Sequence, residues 1–333
     1  MTEFLGANSP IATIFGGSGF VGRYVVRRLV KCGWRVRVAV RNPNQAIFLK
    51  TYGEVGQVEV FKCSMFDLKE MDFCIPGSTL VINAAAGLLN ETSNKMFKKY
   101  YIDAPELIAK QCVKFDVKKL IHVSSLGVDK CSSSVYASSK SKGEDKILEN
   151  FPDATIVRPS LIFGHEDRLF NRYASLATYN LFLPVIGQET RFQPIYVDDL
   201  ALAIEKIAMG NNLSGIYELG GPDILSFKEI IERMLSVVRR KRLIVNIPFR
   251  LANLMALVFE LSNKLTLGLT PLPFTLDNVY QLQVDNIVSH DKKSFKDLDI
   301  KPQNIDTIIP LYLYSYRPHG QYNDITQSAN KPD

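Results

Sequence analysis

A chain of 333 residues is long enough for a large core and for two domains, or for one domain with a sizeable appendage. Hydrophobic residues make up 46% and charged residues 22%, as in a soluble globular protein, and no apolar run reaches the ~20 residues of a membrane span. The net charge of +6 is spread along the chain, which argues against a nucleic-acid surface.

The N-terminal stretch carries Glu3 and no basic residue before Arg23, so it reads as neither a secretory signal nor an Arg-rich presequence. Ile11–Phe15 is apolar and β-branched, a buried parallel strand. Gly16-Gly17-Ser18-Gly19-Phe20-Val21-Gly22 follows, and then Val21, Tyr24, Val25 and Leu29 recur at helical spacing up to Gly33. Strand, glycine turn and helix together are the context a dinucleotide fingerprint needs. Gly16 allows the tight turn, Gly19 lets backbone approach a pyrophosphate, and Gly22 lets helix and strand pack closely. The helix start supplies N–H groups and a positive dipole end for phosphates.

Arg35–Val40 alternates as a second strand and ends at Arg41. An acid there would bond a ribose 2′-hydroxyl, whereas an arginine pairs with a 2′-phosphate, so Arg41 favours NADP(H), with NAD(H) the alternative. Val58–Phe61 is a third strand, with Cys63-Ser64-Met65 expected near the adenine. Leu80–Asn83 is a fourth, and Ala84, Ala85 and Ala86 leave room for cofactor at its end. Lys95–Phe115 is a helix interrupted near Pro105, and Leu120–Val123 is a fifth strand ending in Ser124-Ser125. The alternation predicts an α/β fold: a Rossmann-type doubly wound parallel sheet, with a smaller C-terminal α/β lobe.

Tyr136 and Lys140 stand four residues apart on the next helix and so share a face. A nearby ammonium favours phenolate, as a proton donor to a carbonyl or a base for an alcohol requires, and the ammonium can also hold a nicotinamide ribose. Ser125 is placed to orient a substrate oxygen. The five cysteines are odd in number and lack CxxC spacing, and the four histidines lie far apart, so neither a disulfide framework nor a metal site is expected.

Further on, Asp167–Leu183 reads as an amphipathic helix, Phe192–Val197 as a strand returning to the first domain, Asp199–Ala208 as a helix and Tyr217–Leu219 as a strand. Ser226 and Glu229 form a capping box for a helix to Val238. The Arg239-Arg240-Lys241-Arg242 cluster suits anionic lipid or an acidic partner, or simply a helix end. Phe249–Leu261 is apolar but too short to span a membrane; it is either a buried lobe helix or one lying on a membrane or partner. The expected organisation is a nucleotide-binding domain of residues 8–165 and 190–222, a lobe of 166–189 and 223–312, and a tail of 313–333, disordered over its polar Gln321–Asp333 end.

Six segments taken together resemble the short-chain dehydrogenase/reductase superfamily, in its extended and atypical branches: Gly16–Gly22, Asn83–Ala86, His122–Ser125, Tyr136–Lys140, Arg158–Gly164 and Pro194–Ala201. The resemblance implies catalytic roles for Ser125, Tyr136 and Lys140. It implies cofactor contacts at Gly16, Ser18, Gly19, Phe20, Val21, Arg41, Ala84, Ala85, Ala86, Tyr136, Lys140, Pro159 and Ile162. Within the superfamily the chain is most similar to the NADPH-binding accessory subunits of respiratory complex I and their bacterial relatives, through ATIFGGSGFVGRYVVRRL, IHVSSLGVD, RPSLIFGHEDRLFNR and YELGGPDILSF. That group implies a tightly held nucleotide in a structural or sensing role, complex I subunits as partners, and a place on the inner face of a bacterial membrane or on the mitochondrial matrix side. Two departures bear on activity. Tyr101 stands where the superfamily often has a proton-relaying asparagine, and Ser64 where an acid is common after the third strand. The alternative reading is an active NADPH-dependent reductase or epimerase acting on a sugar nucleotide or small carbonyl compound; a soluble redox sensor is a third.

Overall fold

The computed structural model describes residues 9–87, 91–211, 213–266, 269–270, 272–318 and 320. The chain divides into two compact units: Met1–Pro159, Val197–Leu219 and Ser289–Ile300 form one, and Ser160–Tyr196, Gly220–Val288 and Lys301–Asp333 the other. Residues 160–165, 190–196 and 220–222, expected with the nucleotide-binding domain, fall in the second unit, and Ser289–Ile300, expected in the lobe, falls in the first.

In the first unit the chain runs β1 (Ile11–Phe15), α1 (Phe20–Lys31), β2 (Arg35–Val40), a 3-10 stretch (Pro43–Tyr52), β3 (Val58–Lys62), α2 (Leu68–Cys74), β4 (Leu80–Asn83) and α3 (Asn94–Lys98). A π turn (Lys99–Asp103), α4 (Ala104–Lys114), β5 (Lys119–Val123), α5 (Val135–Asn150) and β6 (Thr155–Pro159) follow. The chain then enters the second unit with β7 (Ile162–Phe163), α6 (Leu169–Tyr179), β8 (Phe182–Ile186), β9 (Arg191–Phe192) and β10 (Ile195–Tyr196). It returns to the first with α7 (Val197–Met209) and β11 (Gly215–Leu219). The second unit continues with β12 (Leu225–Ser226), α8 (Phe227–Val238), β13 (Leu243–Ile247), α9 (Phe249–Leu265) and α10 (Leu276–Gln281), and later α11 (Ile305–Ile308) and α12 (Pro310–Leu313).

The seven-stranded sheet has the order β11-β6-β5-β4-β1-β2-β3 with every pairing parallel. The order reverses between β1 and β4, the switch point where ligands of such sheets bind at the carboxyl ends of the strands. Phe15 is in register with both Ala39 and Asn83, so the ends of β1, β2 and β4 meet there. Strands buried on both faces read as apolar runs, and the polar Thr13 within β1 is satisfied by Cys74 O at 2.8 Å and Ser78 Oγ at 2.7 Å. One core gathers Phe15, Met71, Ile108, Leu120, Ile147 and Ile156 from β1, α2, α4, β5, α5 and β6. α1 is tied to α7 by Arg28, which reaches Asp198 at 2.7 Å and Glu205 at 3.2 Å.

The second unit has its own core, with Phe163, Phe170, Leu183, Ile230, Met234 and Leu313 among its members. The Ser226–Glu229 capping box starts α8 as expected, Glu229 N–H donating to Ser226 Oγ at 3.2 Å and Ser226 N–H to Glu229 Oε2 at 2.7 Å. Other expectations need correction. Phe192–Val197 is not a strand of the main sheet: β9 pairs with β12 and β10 with β7, parted by Gln193-Pro194, where proline has no N–H to continue a ladder. The helix expected over Asp167–Leu183 is shorter. Asp167 Oδ1 accepts from Phe170 N at 2.7 Å and so starts it, and the chain beyond Tyr179 leaves as β8, paired with β13. The chain is also not disordered from 313: Leu313 is buried, Tyr316 packs on the core, and Arg240 Nε donates to Tyr316 O at 2.9 Å. The expected tail over Gln321–Asp333, and Pro271, lie outside the described residues.

Candidate functional site

The glycine turn crosses the switch point. Gly16 has φ +76°, and a Cβ there would lie 2.7 Å from Ala85 Cα and N, so the backbones of the turn and of the Ala84–Ala86 segment lie side by side only because Gly16 has no side chain. Ala84 N–H donates to Phe15 O at 3.0 Å, and Ala85 N–H to Asn83 Oδ1 at 3.2 Å. Gly22 packs against the Gly16 carbonyl, again where a Cβ would collide. Gly19 is exposed at the N-cap of α1, and among the described residues, its chain neighbours aside, only Gly16 O lies within 4 Å of where its Cβ would be. The first turn of α1, which begins with Phe20 and Val21, has no acidic residue to compete with an anion. Backbone that closes on itself at Gly16 and Gly22 yet opens at Gly19 fits a pyrophosphate. Arg23, the first basic residue of the chain and one with no local motif to mark it, folds back over this turn: its Nη2 donates to Ser18 O at 3.2 Å and its Nε to Gly19 O at 3.3 Å.

Arg41 stands exposed directly after β2. Directly after the neighbouring strand β3, Cys63 N–H donates to Val40 O at 2.9 Å, and Ser64 N–H donates to Glu70 Oε2 at 2.7 Å. The carboxylate missing from position 64 is therefore supplied to this loop by Glu70 from α2, and it is engaged by backbone.

Ser134 caps α5, its Oγ accepting from Ala137 N at 3.1 Å, and this fixes the helix that carries Tyr136 and Lys140. Ser125, just beyond β5, meets the Tyr136 hydroxyl at 3.0 Å. Lys140 is buried, with Nζ 5.4 Å from the Tyr136 ring centre and 5.6 Å from that of Tyr101. The structure brings the three together in an arrangement able to pass a proton to or from a substrate oxygen. Tyr101 joins them edge to face with Tyr136, ring centres 5.1 Å apart, and its hydroxyl accepts from Gly87 N at 3.1 Å. Beneath, His122 on β5 is buried, and burial, followed by the Lys140 charge, lowers its pKa to about 3, so it is neutral. His122 Nδ1 and Ser124 Oγ are buried without a hydrogen-bond partner among the described residues. Pro159 closes β6, its carbonyl accepting from Leu126 N at 2.9 Å, whereas Ile162 is carried by β7 of the second unit, in register with Ile195.

A family model described as NAD(P)H-binding matches residues 16–171. The mitochondrial NADH dehydrogenase [ubiquinone] 1 alpha subcomplex subunit 9 of Arabidopsis thaliana is 34% identical over 97% of this chain and 82% of its own. The chain belongs to the NADH dehydrogenase [ubiquinone] 1 alpha subcomplex subunit 9 family. A ceramide reductase of Caulobacter vibrioides is 30% identical over 72% of this chain and 74% of its own. Among solved structures, the UDP-glucose 4-epimerase of Thermus thermophilus in complex with NAD superposes with a TM-score of 0.67 at 16% identity, over 92% of this chain and 99% of that one, a likeness of fold alone. The subunit 9 match runs through both units, whereas the NAD(P)H-binding match ends at residue 171.

Proposed function

We propose that the protein is a nucleotide-holding accessory subunit of the membrane-bound NADH:quinone oxidoreductase, complex I, with NADP(H) as its ligand in a structural or sensing role. The observation that carries this reading is Tyr101. Its ring packs on Tyr136 and under Lys140, and its hydroxyl is engaged by Gly87, where a proton relay would have to pass. The partnership rests on the relative from Arabidopsis thaliana. When bound, the nucleotide supplies a hydride-bearing ring. Gly16, Ser18, Gly19, Phe20 and Val21 would hold its pyrophosphate, Arg41 its 2′-phosphate, Ala84, Ala85 and Ala86 would leave it room, and Tyr136 and Lys140 would hold the nicotinamide ribose. Pro159 and Ile162 enter the proposal on the superfamily pattern alone.

In this reading residues 8–165 and 190–222 serve the nucleotide, and residues 166–189 and 223–312 form the lobe that meets partners. α9 supports a contact through 249–261 with a membrane surface or a neighbouring subunit, because Leu254, Leu257, Val258 and Leu261 face solvent. The place implied is peripheral, on the inner face of a bacterial membrane or the matrix side of a mitochondrial one.

The test is to denature the purified protein and identify the released nucleotide by mass spectrometry. Near-stoichiometric NADPH is expected. A ligand at a hundred times its Kd contributes ~2.7 kcal/mol to stability, and Arg41→Asp should lose that gain for NADPH while keeping its stability in the absence of nucleotide. An Arg41→Asp variant that NADPH stabilises like the wild type refutes the 2′-phosphate assignment. The Ser125–Tyr136 contact at 3.0 Å favours the second reading, an active reductase or epimerase. Turnover with a carbonyl substrate, abolished in Tyr136→Phe with nucleotide binding intact, would establish it instead.

A further inference from the structure

Cys63 directly follows β3 and Cys74 ends α2; both are buried free thiols, and their sulfurs lie 3.2 Å apart. A disulfide needs roughly 2.05 Å, so the two sulfurs must approach by about 1 Å. Each backbone is anchored. Cys63 N–H is held by Val40 O at 2.9 Å, while Cys74 O accepts from Thr13 Oγ1 at 2.8 Å and from Arg37 Nη1 at 3.4 Å. The contact therefore joins the end of β3 to the end of α2, both held to the sheet by hydrogen bonds of their backbones.

We propose that Cys63 and Cys74 are a redox modification site, closing to a reversible disulfide that loosens the adenosine end of the nucleotide site. The coupling half of this proposal rests on the nucleotide reading above. The two thiols are unlike. The contact with Cys63, aided by the Arg37 cation, draws Cys74 below the ordinary thiol range against the effect of burial, and the same contact, with burial, raises Cys63. The Arg37 guanidinium, which donates to the Cys74 carbonyl at 3.4 Å, stands beside Cys74 and favours a thiolate there, so Cys74 is the attacking sulfur. Its thiolate attacks one oxygen of hydrogen peroxide, the O–O bond breaks, hydroxide leaves and Cys74 becomes a sulfenic acid. The Cys63 sulfur then attacks the Cys74 sulfur, the S–O bond breaks and a second hydroxide leaves. The two thiol protons convert both hydroxides to water, so the dithiol loses two electrons and one peroxide becomes two waters. Cys32 and Cys112 contrast with this pair: burial, with Glu205 beside it, pushes Cys32 up to about 11, and burial alone raises Cys112.

The change arrives where the nucleotide reading needs precision. Cys63 is bonded to Val40, the residue before Arg41, and Ser64 follows it. Drawing Cys63 toward α2 shifts both.

The experiment treats the full-chain protein with hydrogen peroxide, alkylates the remaining thiols after unfolding, and maps the peptides by mass spectrometry. A Cys63–Cys74 linked peptide that dithiothreitol releases is expected, with Cys32 and Cys112 recovered alkylated. Recovery of Cys63 and Cys74 as alkylated thiols or as separate sulfinic acids overturns the site. In Cys63→Ser, peroxide should carry Cys74 on to the sulfinic acid. Oxidised protein should bind NADPH about tenfold more weakly than reduced protein; equal affinity overturns the coupling. Failure of either form to bind NADPH refutes the nucleotide reading and the coupling with it, while the peptide map still decides the disulfide.

Discussion

His122 illustrates how one buried side chain sets a pH limit. Its imidazole is neutral in the fold, with a pKa near 3 against an ordinary value of 6.5, because burial and then the Lys140 ammonium oppose a second proton. A depressed histidine contributes stability that is fully present above pH 6.5 and is lost as pH falls from there toward 3, because only the unfolded chain takes up the proton. Each pH unit in that window costs about 1.4 kcal/mol, so about 2 kcal/mol is lost between neutrality and about pH 5. Between pH 7 and pH 5 the stability of His122→Leu, measured by urea unfolding, should fall by about 2 kcal/mol less than that of the wild type, and an equal fall would refute the assignment. Arg158 is the other buried centre: Glu144 at 2.6 Å, Asp129 at 2.8 Å and Glu218 at 3.4 Å surround it. The sequence showed Arg158 only as part of a motif, because its three acids come from the loop after β5, from α5 and from β11. Ser125, Tyr136 and Lys140 were legible for the opposite reason: their spacing along one strand end and one helix is local, and the structure brings them together. What Tyr101 does there was legible only as a departure from a pattern. That its ring reaches Lys140 depends on where two helices cross.

That crossing is made by the π turn between α3 and α4. Pro105 has no N–H, so the helix cannot run through it without losing a backbone bond, and the turn widens just before it. The Tyr101 carbonyl then stands against Gly143 of α5, where a Cβ would collide with it. Alanine in place of a helical glycine normally gains up to about 1 kcal/mol, whereas overpacking against fixed backbone costs about 1–3 kcal/mol. Overpacking wins here, because a carbonyl in a helix cannot swing aside as a side-chain end can. Gly143→Ala should lower the urea midpoint, with a net loss of about 1–2 kcal/mol; a stabilised variant would show that the two helices are free to part. The interruption near Pro105 was readable from the proline, but its π geometry was not, since that depends on α5. The same division holds elsewhere. β1, α1, β2, β4 and the α8 capping box follow from local periodicity and caps. The β8–β13 pair and the docking of Ser289–Ile300, where Glu218 N–H meets Lys293 O at 2.8 Å, join segments distant in sequence and short in themselves.

At the scale of the molecule, the second unit keeps much apolar surface in water. α9 buries little besides Ala252 and Ala256, and leaves Leu251, Leu254, Leu257, Val258, Leu261 and Leu265 exposed. On the β8–β13 pair, Phe182 stands opposite Leu243 and Pro184 opposite Val245 on an exposed face. No helix among the described residues is long and apolar enough to cross a membrane, so this surface can lie on a bilayer or a partner without spanning. Burying an exposed leucine contributes at least about 1 kcal/mol, and Leu254→Ser, Leu257→Ser and Leu261→Ser combined should cut binding to phosphatidylglycerol vesicles about a hundredfold with little effect on the urea midpoint. Unchanged vesicle binding would remove α9 from the contact. The interleaving of the two units has a consequence for synthesis. The ribosome delivers β1 to β6 first, yet the sheet gains its edge strand β11 only after the chain has left for the second unit and returned, and Ser289–Ile300 arrives later still. The nascent nucleotide domain therefore waits with β6 uncovered along one edge, and at about 5–20 residues per second the stretch from Pro159 to Leu219 makes that wait about 3–12 seconds. A gene truncated after β6 is accordingly expected to yield an aggregating product, and a chaperone that shields an open strand edge has its window between the emergence of Pro159 and that of Leu219.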